Sequence, residues 1–148
     1  MSTTDEIGSP NKLGKWLLTA VILLGVPSFV LSAWSLERFH RVVEDNLDKP
    51  WCSDMQRWIA NAYAYSLRPE PAAVRYEYAA NLYRTQDNYT MAGEMFYQQA
   101  HAFEDMTNSN NKYTALAIYD RLAEDYRDYP AGAKAKAAST RIQTMGRP

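Results

Sequence analysis

The sequence has few of the residues that build disulfide frameworks and metal sites. It contains one cysteine, Cys52, and two histidines, His40 and His101, in 148 residues. A single cysteine excludes an intrachain disulfide, and a lone thiol is most often a small buried hydrophobic group. The two histidines are far apart and no cluster of carboxylates surrounds them, so we expect His40 to be solvated or interfacial. The sequence predicts no metal ion and no cofactor.

Motifs typical of enzymes and of nucleic-acid binding are also missing. The chain has no GxSxG, no phosphate-binding glycine loop, no HExxH, no CxxC and no dinucleotide-binding glycine run. A net charge of −1 and a pI of about 6.1 exclude the basic footprint that bulk nucleic-acid binding needs. We therefore predict a non-catalytic protein that has no catalytic residues, no small-molecule substrate and no nucleic-acid partner.

One long stretch lacks charge altogether. Residues 16–36 hold no ionisable side chain, and eleven of these 21 residues are Leu, Ile, Val or Phe. As a helix the run would extend about 31 Å, close to the hydrocarbon thickness of a bilayer. Trp16 and Trp34 lie near its ends, where indole rings prefer the headgroup boundary, and Pro27 predicts a kink. A cleaved signal peptide and a soluble hairpin core are alternatives, but the apolar run continues through Leu36, which favours an uncleaved transmembrane helix.

The uncharged run divides the chain into four predicted parts. They are an N-terminal tail at 1–15, a transmembrane helix at 16–36, a helical stalk at 37–49 and a helical domain at 50–148. The stalk has an apolar helical face made of Phe39, Val42, Val43 and Leu47. The short, positively charged tail favours an N-in, C-out orientation. We therefore predict a single-pass protein of a bacterial inner membrane whose C-terminal domain is extracytoplasmic.

The remainder of the chain has the composition of an all-α domain. Alternating apolar runs are absent, Val and Ile are sparse, and alanine, the best helix former, is abundant. Proline and clusters of Asn and Asp mark helix boundaries. These signals predict five helices, at 51–67, 72–84, 90–105, 112–126 and 131–145. Short connections between such helices predict stacked antiparallel hairpins.

Part of this domain resembles a tetratricopeptide repeat (TPR). The stretch RYEYAANLY at 75–83, the turn after it and the next helix carry small and aromatic residues at the TPR spacing, namely Ala80, Tyr83, Tyr89, Ala92 and Phe96. Ala115 and Tyr119 repeat the small–aromatic pair. A small residue lets two helices approach, and an aromatic residue one turn away fills the groove beside it. The resemblance implies that these are packing positions of TPR-like hairpins.

The distribution of charge near the C-terminus is uneven. Residues 129–148 hold four basic residues and no acidic one, whereas residues 87–128 hold eight acidic and three basic residues. We expect a solvated last helix. Docking of this basic helix on an acidic surface, in this chain or in another, is the alternative.

Four residues are candidates for contact with a partner. Trp51 and Trp58 lie seven positions apart on one helix face, which serves either core packing or contact with lipid or a partner. Arg75 and Asn81 are the pair that suggests a peptide-binding clamp. Because TPR-like repeats fold by stacking and about three are usually needed, this short array is expected to complete itself in a complex. We expect an accessory subunit or scaffold of a respiratory, photosynthetic, export or envelope complex, with integral membrane subunits and the lipid bilayer as partners. The alternative is a membrane-anchored, peptide-binding, chaperone-like factor.

Overall fold

The chain is helical throughout the part that a computed structural model describes, residues 32–145. That part contains six α-helices and no strand, so the predicted all-α fold is confirmed there. The helices are α1 (Ala33–Glu44), α2 (Trp51–Tyr65), α3 (Pro69–Thr85), α4 (Tyr89–Glu104), α5 (Ser109–Asp125) and α6 (Pro130–Met145). Helices α2 to α6 are the five helices predicted from the sequence.

Capping residues explain where most of the helices begin. The side-chain oxygens of Ser32, Asn88 and Asn108 accept hydrogen bonds from backbone N–H groups two or three residues further on. Each bond satisfies a donor that a helix start leaves without an intrahelical partner. Pro69 and Pro130 occupy the first positions of α3 and α6, where a missing N–H costs nothing.

Helices α2 and α3 both end in a left-handed residue that is not glycine. Leu67 has a φ of 55° and Asp87 a φ of 57°. At the first of these turns the N–H of Arg68 donates to the carbonyl of Tyr63, and the N–H of Leu67 donates to the carbonyl of Ala64, each at 3.0 Å. The second turn has the same pair of bonds. These are Schellman motifs, in which glycine is the usual left-handed residue.

The helices alternate in direction and form two layers. The odd-numbered helices lie in one layer and the even-numbered helices in the other, where α4 also packs on α6. Side chains join α1 to α3 within the odd layer: the guanidinium of Arg75 lies 2.8 Å from the carboxylate of Glu37, and the rings of His40 and Tyr78 are 5.2 Å apart. The short turns make each helix antiparallel to the next.

Alanine and tyrosine dominate the core between the layers. Buried alanines let the helices approach closely, and larger tyrosine rings fill the space that remains. Four tyrosines form what we call the tyrosine ladder, because each donates its hydroxyl to a side chain of the preceding helix: Tyr63 to Glu37, Tyr76 to Asn61, Tyr83 to Asp54 and Tyr119 to Glu104. Burial raises the pKa of Tyr76 and Tyr83 to about 12.

The basic last helix docks on acidic side chains of this chain. The ammonium of Lys134 lies 2.8 Å from Glu94 of α4, and Arg141 donates to both carboxylate oxygens of Glu104 at 2.7 Å. The hydrogen bond from Lys134 holds the pKa of Glu94 below its usual value, against the opposing effect of burial. Helix α6 is therefore a packed helix of the domain and not a solvated one.

Two glycines allow α6 to lie so close. A Cβ atom added at Gly132 would lie 2.2 Å from the carbonyl oxygen of Tyr126, where α5 has just ended. A Cβ atom added at Gly93 of α4 would lie 2.8 Å from the ring of Tyr126 and 3.0 Å from Cβ of Ala131. Distances under 3.0 Å do not occur for real Cβ atoms, so only glycine fits at Gly132 without movement of the backbone.

The prediction of a membrane span at 16–36 is wrong at the end that the structure describes. Residues 32–36 are the cap and first turn of α1, where Leu36 is completely buried in the core and Trp34 stacks on Arg38 at 5.4 Å. None of the helices found between residues 32 and 145 is both long enough and apolar enough to cross a bilayer. Trp16 and Pro27 lie outside the described residues. The prediction of a single-pass inner-membrane protein depended on this span, and the described part of the chain contradicts that prediction.

The region predicted as a stalk also differs from the prediction. Helix α1 covers Ala33–Glu44, and turns occupy the residues before α2, whereas the stalk was predicted at 37–49. The expectation for His40 is wrong. Its imidazole is buried, with Nδ1 3.0 Å from Oε1 of Gln56 and Nε2 3.3 Å from the carboxylate of Glu44. The face of α1 that contains His40 therefore packs on α2 instead of meeting solvent.

Candidate functional site

The residues that resemble TPR packing positions mostly lie in the core. The structure buries the small residues Ala80, Ala92 and Ala115 completely, together with the aromatic residues Tyr83 and Tyr119. Phe96 is half-buried, and Tyr89 is exposed at the start of α4. The last two residues line a groove, so their surfaces are available to a partner.

The four candidates for partner contact occupy different places. Trp51 and Trp58 are each 40% exposed, and the ring of Trp58 packs edge-to-face on Phe39 at 5.6 Å. Arg75 is paired with Glu37 of α1, as described above, and is therefore an internal contact. Asn81 is exposed and lines the groove. The structure does not bring Arg75 and Asn81 together as a clamp in that groove, because only Asn81 lines it.

The groove lies between α3 and α5 in the odd layer, with α4 as its floor. We call it the α3–α5 groove. Its volume is about 720 Å³, within the range of pockets that bind ligands. Helix α3 contributes Glu77, Asn81 and Arg84, which share a face because they are spaced by four and three residues. Helix α5 contributes the opposite wall, which includes Ala117 and Ile118.

Charged and polar groups line the two walls of the α3–α5 groove. The side-chain amide of Gln99 donates to the carboxylate of Glu77 at 3.0 Å, which fixes that acid above the floor. Across the groove, Nε of Arg121 lies 3.2 Å from Asp125 on the same helix. Within residues 32–145, neither Glu77 nor Arg84 has an oppositely charged group within 4.0 Å.

An aromatic cluster closes one end of the groove, next to Arg84. Tyr126 lies 6.1 Å from Phe96 and 5.9 Å from Tyr129, and Tyr129 lies 6.3 Å from Tyr89, measured between ring centroids. Burial raises the pKa of the Tyr126 phenol, and the positive charge of Arg84 opposes that rise. The groove thus offers an aromatic surface, a carboxylate and a guanidinium to a bound group.

A second exposed surface lies where the odd-numbered helices begin. Because the helices alternate in direction, this end collects the start of α5, the end of α6 and the turn between α2 and α3. We call it the apolar end. It carries four large side chains that are mostly exposed: Tyr65 (84%), Leu67 (88%), Tyr113 (72%) and Met145 (78%).

No sequence pattern identifies the residues of the apolar end. They are spread over residues 65–145 of the chain, and none lies in a motif. Their shared position becomes visible only once the direction of each helix is known. Leu67 alone carries a local signal, because a leucine occupies the place where the Schellman turn favours glycine.

Comparison with known proteins gives no relative for this fold or sequence. No protein-family model matches the chain, no curated protein is similar to it, and no solved structure matches it. Within the described part of the chain, no group of three or more His, Cys, Asp and Glu side chains could hold a metal ion.

Proposed function

We propose that this protein is a non-catalytic accessory scaffold that completes itself by packing on a larger protein partner. The apolar end carries this proposal. Its four side chains are 72% to 88% exposed, and all four belong to the end of the helix array at which the odd-numbered helices begin. Such groups are typical of the buried centre of a protein–protein interface, where tyrosine and methionine are enriched.

The arrangement of the hairpins supports a TPR-like reading of the domain. Helices at equivalent places in the two layers begin about 36 to 41 residues apart, at 33, 69 and 109 in the odd layer and at 51, 89 and 130 in the even layer. A TPR unit has about 34 residues. Solenoids of this kind bury each unit against its neighbours, so their terminal surfaces are natural places for a partner to dock.

The scaffold proposal is tested by substitutions at the apolar end. Tyr65→Ser with Leu67→Ser removes apolar contact area without touching the core, because both side chains are exposed. We expect the full-length double variant to lose its partner in size-exclusion chromatography of native extracts, while the purified protein keeps the circular dichroism spectrum of the wild type. Val42→Ser with Leu47→Ser is the matched control, since these two exposed apolar residues lie at the opposite end of the helices, where α1 ends.

Two results would contradict the scaffold proposal. One is elution of the wild-type chain as a free monomer from a gently prepared extract. The other is retention of the partner by the Tyr65 and Leu67 double variant, since the interface would then not include the apolar end. The control variants must keep the partner for the comparison to hold.

The α3–α5 groove favours a second candidate function, the capture of a peptide segment. The groove is concave, half apolar and bordered by charged groups, which are the features of a peptide-binding site. Ala117 is exposed and lines the groove, so Ala117→Trp would fill it from the surface. We expect this variant to fold normally and to lose peptide binding, whereas Ala137→Trp on the exposed side of α6 should have no effect.

A further inference from the structure

We propose that the α3–α5 groove selects a peptide segment that carries a basic and an acidic side chain about 10 Å apart, with an apolar side chain between them. The inference rests on the peptide-capture function proposed above and adds the chemistry of the segment. It depends on two charges of α3 that have no oppositely charged partner within residues 32–145 and on the apolar floor between them.

The two charged side chains of α3 that line the groove have a fixed spacing. Glu77 and Arg84 both line the groove from α3 and are seven residues apart. Seven residues of α-helix rise about 10 Å and complete nearly two turns, so the two side chains leave the same face at that separation. A segment lying along α3 would therefore meet a negative group near one end of the groove and a positive group near the other.

Three acidic side chains at contacts between helices are paired with basic side chains of the same chain. Glu37 pairs with Arg75, Glu94 with Lys134 and Glu104 with Arg141, so each of these contacts between helices is neutralised within the chain. Within residues 32–145, Glu77 and Arg84 face the gap between α3 and α5 without such a partner. A segment that covers them must supply the opposite charges, because burying either group unpaired would oppose binding.

The middle of the groove is apolar. Phe96, Ile118 and Leu122 line it, and each is at least half-buried. They give an apolar floor that favours one aliphatic or aromatic side chain of the ligand. The other two charged residues of the groove, Arg121 and Asp125, pair with each other at 3.2 Å, so they require no charged group on the ligand.

For a ligand in a polyproline conformation, the spacing of the charges gives the sequence pattern of the segment. In an extended polyproline conformation, three residues make one turn and rise about 9 Å, so side chains three apart share a face at the required distance. The expected pattern is a basic residue and an acidic residue three positions apart with an apolar residue within. The basic side chain lies against Glu77 and the acidic one against Arg84, and either chain direction satisfies this pairing.

The inference is tested with four capped peptides and four full-length proteins. The peptides are acetyl-PKPLEP-amide, acetyl-PKPLKP-amide, acetyl-PEPLEP-amide and the variant acetyl-PKEPLP-amide, in which the charges are adjacent. Binding to the wild type, to Arg84→Glu and to Glu77→Lys is measured by isothermal titration calorimetry. Arg68→Glu is the control, because Arg68 is an exposed arginine of the α2–α3 turn that does not line the groove.

The pattern predicts a switch of preference in each variant. The wild type and Arg68→Glu should bind PKPLEP about tenfold more tightly than the other three peptides. Arg84→Glu should prefer PKPLKP, because both of its groove charges are then negative. Glu77→Lys should prefer PEPLEP for the opposite reason. All three preferences should weaken as salt is raised from 0.05 to about 0.5 M.

Two results would overturn the inference, and they are distinguishable. Binding that is equal for all four peptides, and is lost in Ala117→Trp, would leave the groove as a peptide site but refute the charge pattern. No binding of any peptide at millimolar concentration would refute peptide capture together with the inference. Circular dichroism of each variant shows whether the fold is intact, and both charged positions are exposed, so unfolding is not expected.

Discussion

Replacement of Gly132 by alanine should be the most damaging addition of a single methyl group in the described domain. The new Cβ atom would lie 2.2 Å from the carbonyl oxygen of Tyr126 and 3.1 Å from Cα of Arg127. Ordinary contact begins at 3.4 Å, so the carbonyl oxygen would have to retreat by 1.2 Å, from 2.2 to 3.4 Å. Both atoms belong to the backbone, which means that the whole of α6 must shift.

The free-energy cost follows from that shift. Overpacking of this kind costs about 1–3 kcal/mol, and the greater helix preference of alanine offsets up to about 1 kcal/mol of it. Moving α6 also strains its pairs with Glu94 and Glu104, which at their partial exposure contribute at most about 1 kcal/mol each. Because the clash is with backbone atoms, the upper end of the overpacking range applies, and we expect Gly132→Ala to lower the free energy of unfolding by about 2–4 kcal/mol in total.

Urea unfolding of the full chain at pH 7, followed by far-ultraviolet circular dichroism, measures this loss. Gly93→Ala should fall between the variant and the wild type, because its Cβ would meet two side chains and one of them is a ring that can turn. Ala133→Gly is the matched control. It alters an exposed residue of the same helical turn and should cost no more than about 1 kcal/mol. A Gly132→Ala protein as stable as the wild type would refute the reasoning.

Three further predictions concern the turns, the tyrosine ladder and the attachment of α1. Leu67→Gly should raise the free energy of unfolding by about 1 kcal/mol, because glycine removes the strain of a left-handed leucine. Leu67→Ala is the control and should give no such gain. Equal stability of the two variants in urea denaturation would contradict this explanation. The folded pKa of Tyr76 and Tyr83 is about 12, above the value near 10 of an unfolded tyrosine, so the folded chain holds these protons longer. Stability should therefore be fully present below pH 10 and fall between pH 10 and 12, by up to about 1.4 kcal/mol per pH unit for each tyrosine. Tyr83→Phe should make stability depend less on pH, and it should lower the free energy of unfolding by about 1 kcal/mol at neutral pH because the hydrogen bond to Asp54 is lost. Wild-type denaturation curves whose midpoint does not change from pH 8 to 11 would contradict this prediction. Arg75→Met should speed hydrogen exchange in α1, because it breaks the pair with Glu37. Arg57→Met breaks a pair with Asp54 within one helix and should leave the exchange of α1 unchanged. Equal exchange of α1 in both variants would show that the Arg75–Glu37 pair does not hold α1 in place.

The sequence was sufficient to predict the helices that local breakers separate. Asparagine at 88 and proline at 130 mark helix starts through their own backbone chemistry, which acts within a few residues. Helices α3 and α5 begin at Pro69 and Ser109, three residues before the predicted starts at 72 and 112. The stripe Ala115, Tyr119 and Leu122 likewise faces the core as the helical period requires. Signals of this kind need no knowledge of the tertiary structure.

What could not be predicted depends on how the helices are placed relative to one another. Leu36 belongs both to an uncharged run and to the core, and composition cannot separate these two uses of an apolar residue. The small–aromatic pair at Ala92 and Phe96 lies in α4, and the pair that repeats it, Ala115 and Tyr119, lies in α5. Because these two helices belong to different layers, the spacing of the two pairs does not give the repeat. The α3–α5 groove exists because α3 and α5 stand apart, and no single helix encodes that gap.

The tyrosine ladder has a consequence for the order in which the protein is made. Each of its hydroxyl groups donates to a residue nearer the N-terminus, 15 to 29 positions earlier in the chain. When a ladder tyrosine leaves the ribosome, its acceptor has therefore already been synthesised. None of these four hydrogen bonds needs a residue that is synthesised later, so they can form one after another during translation.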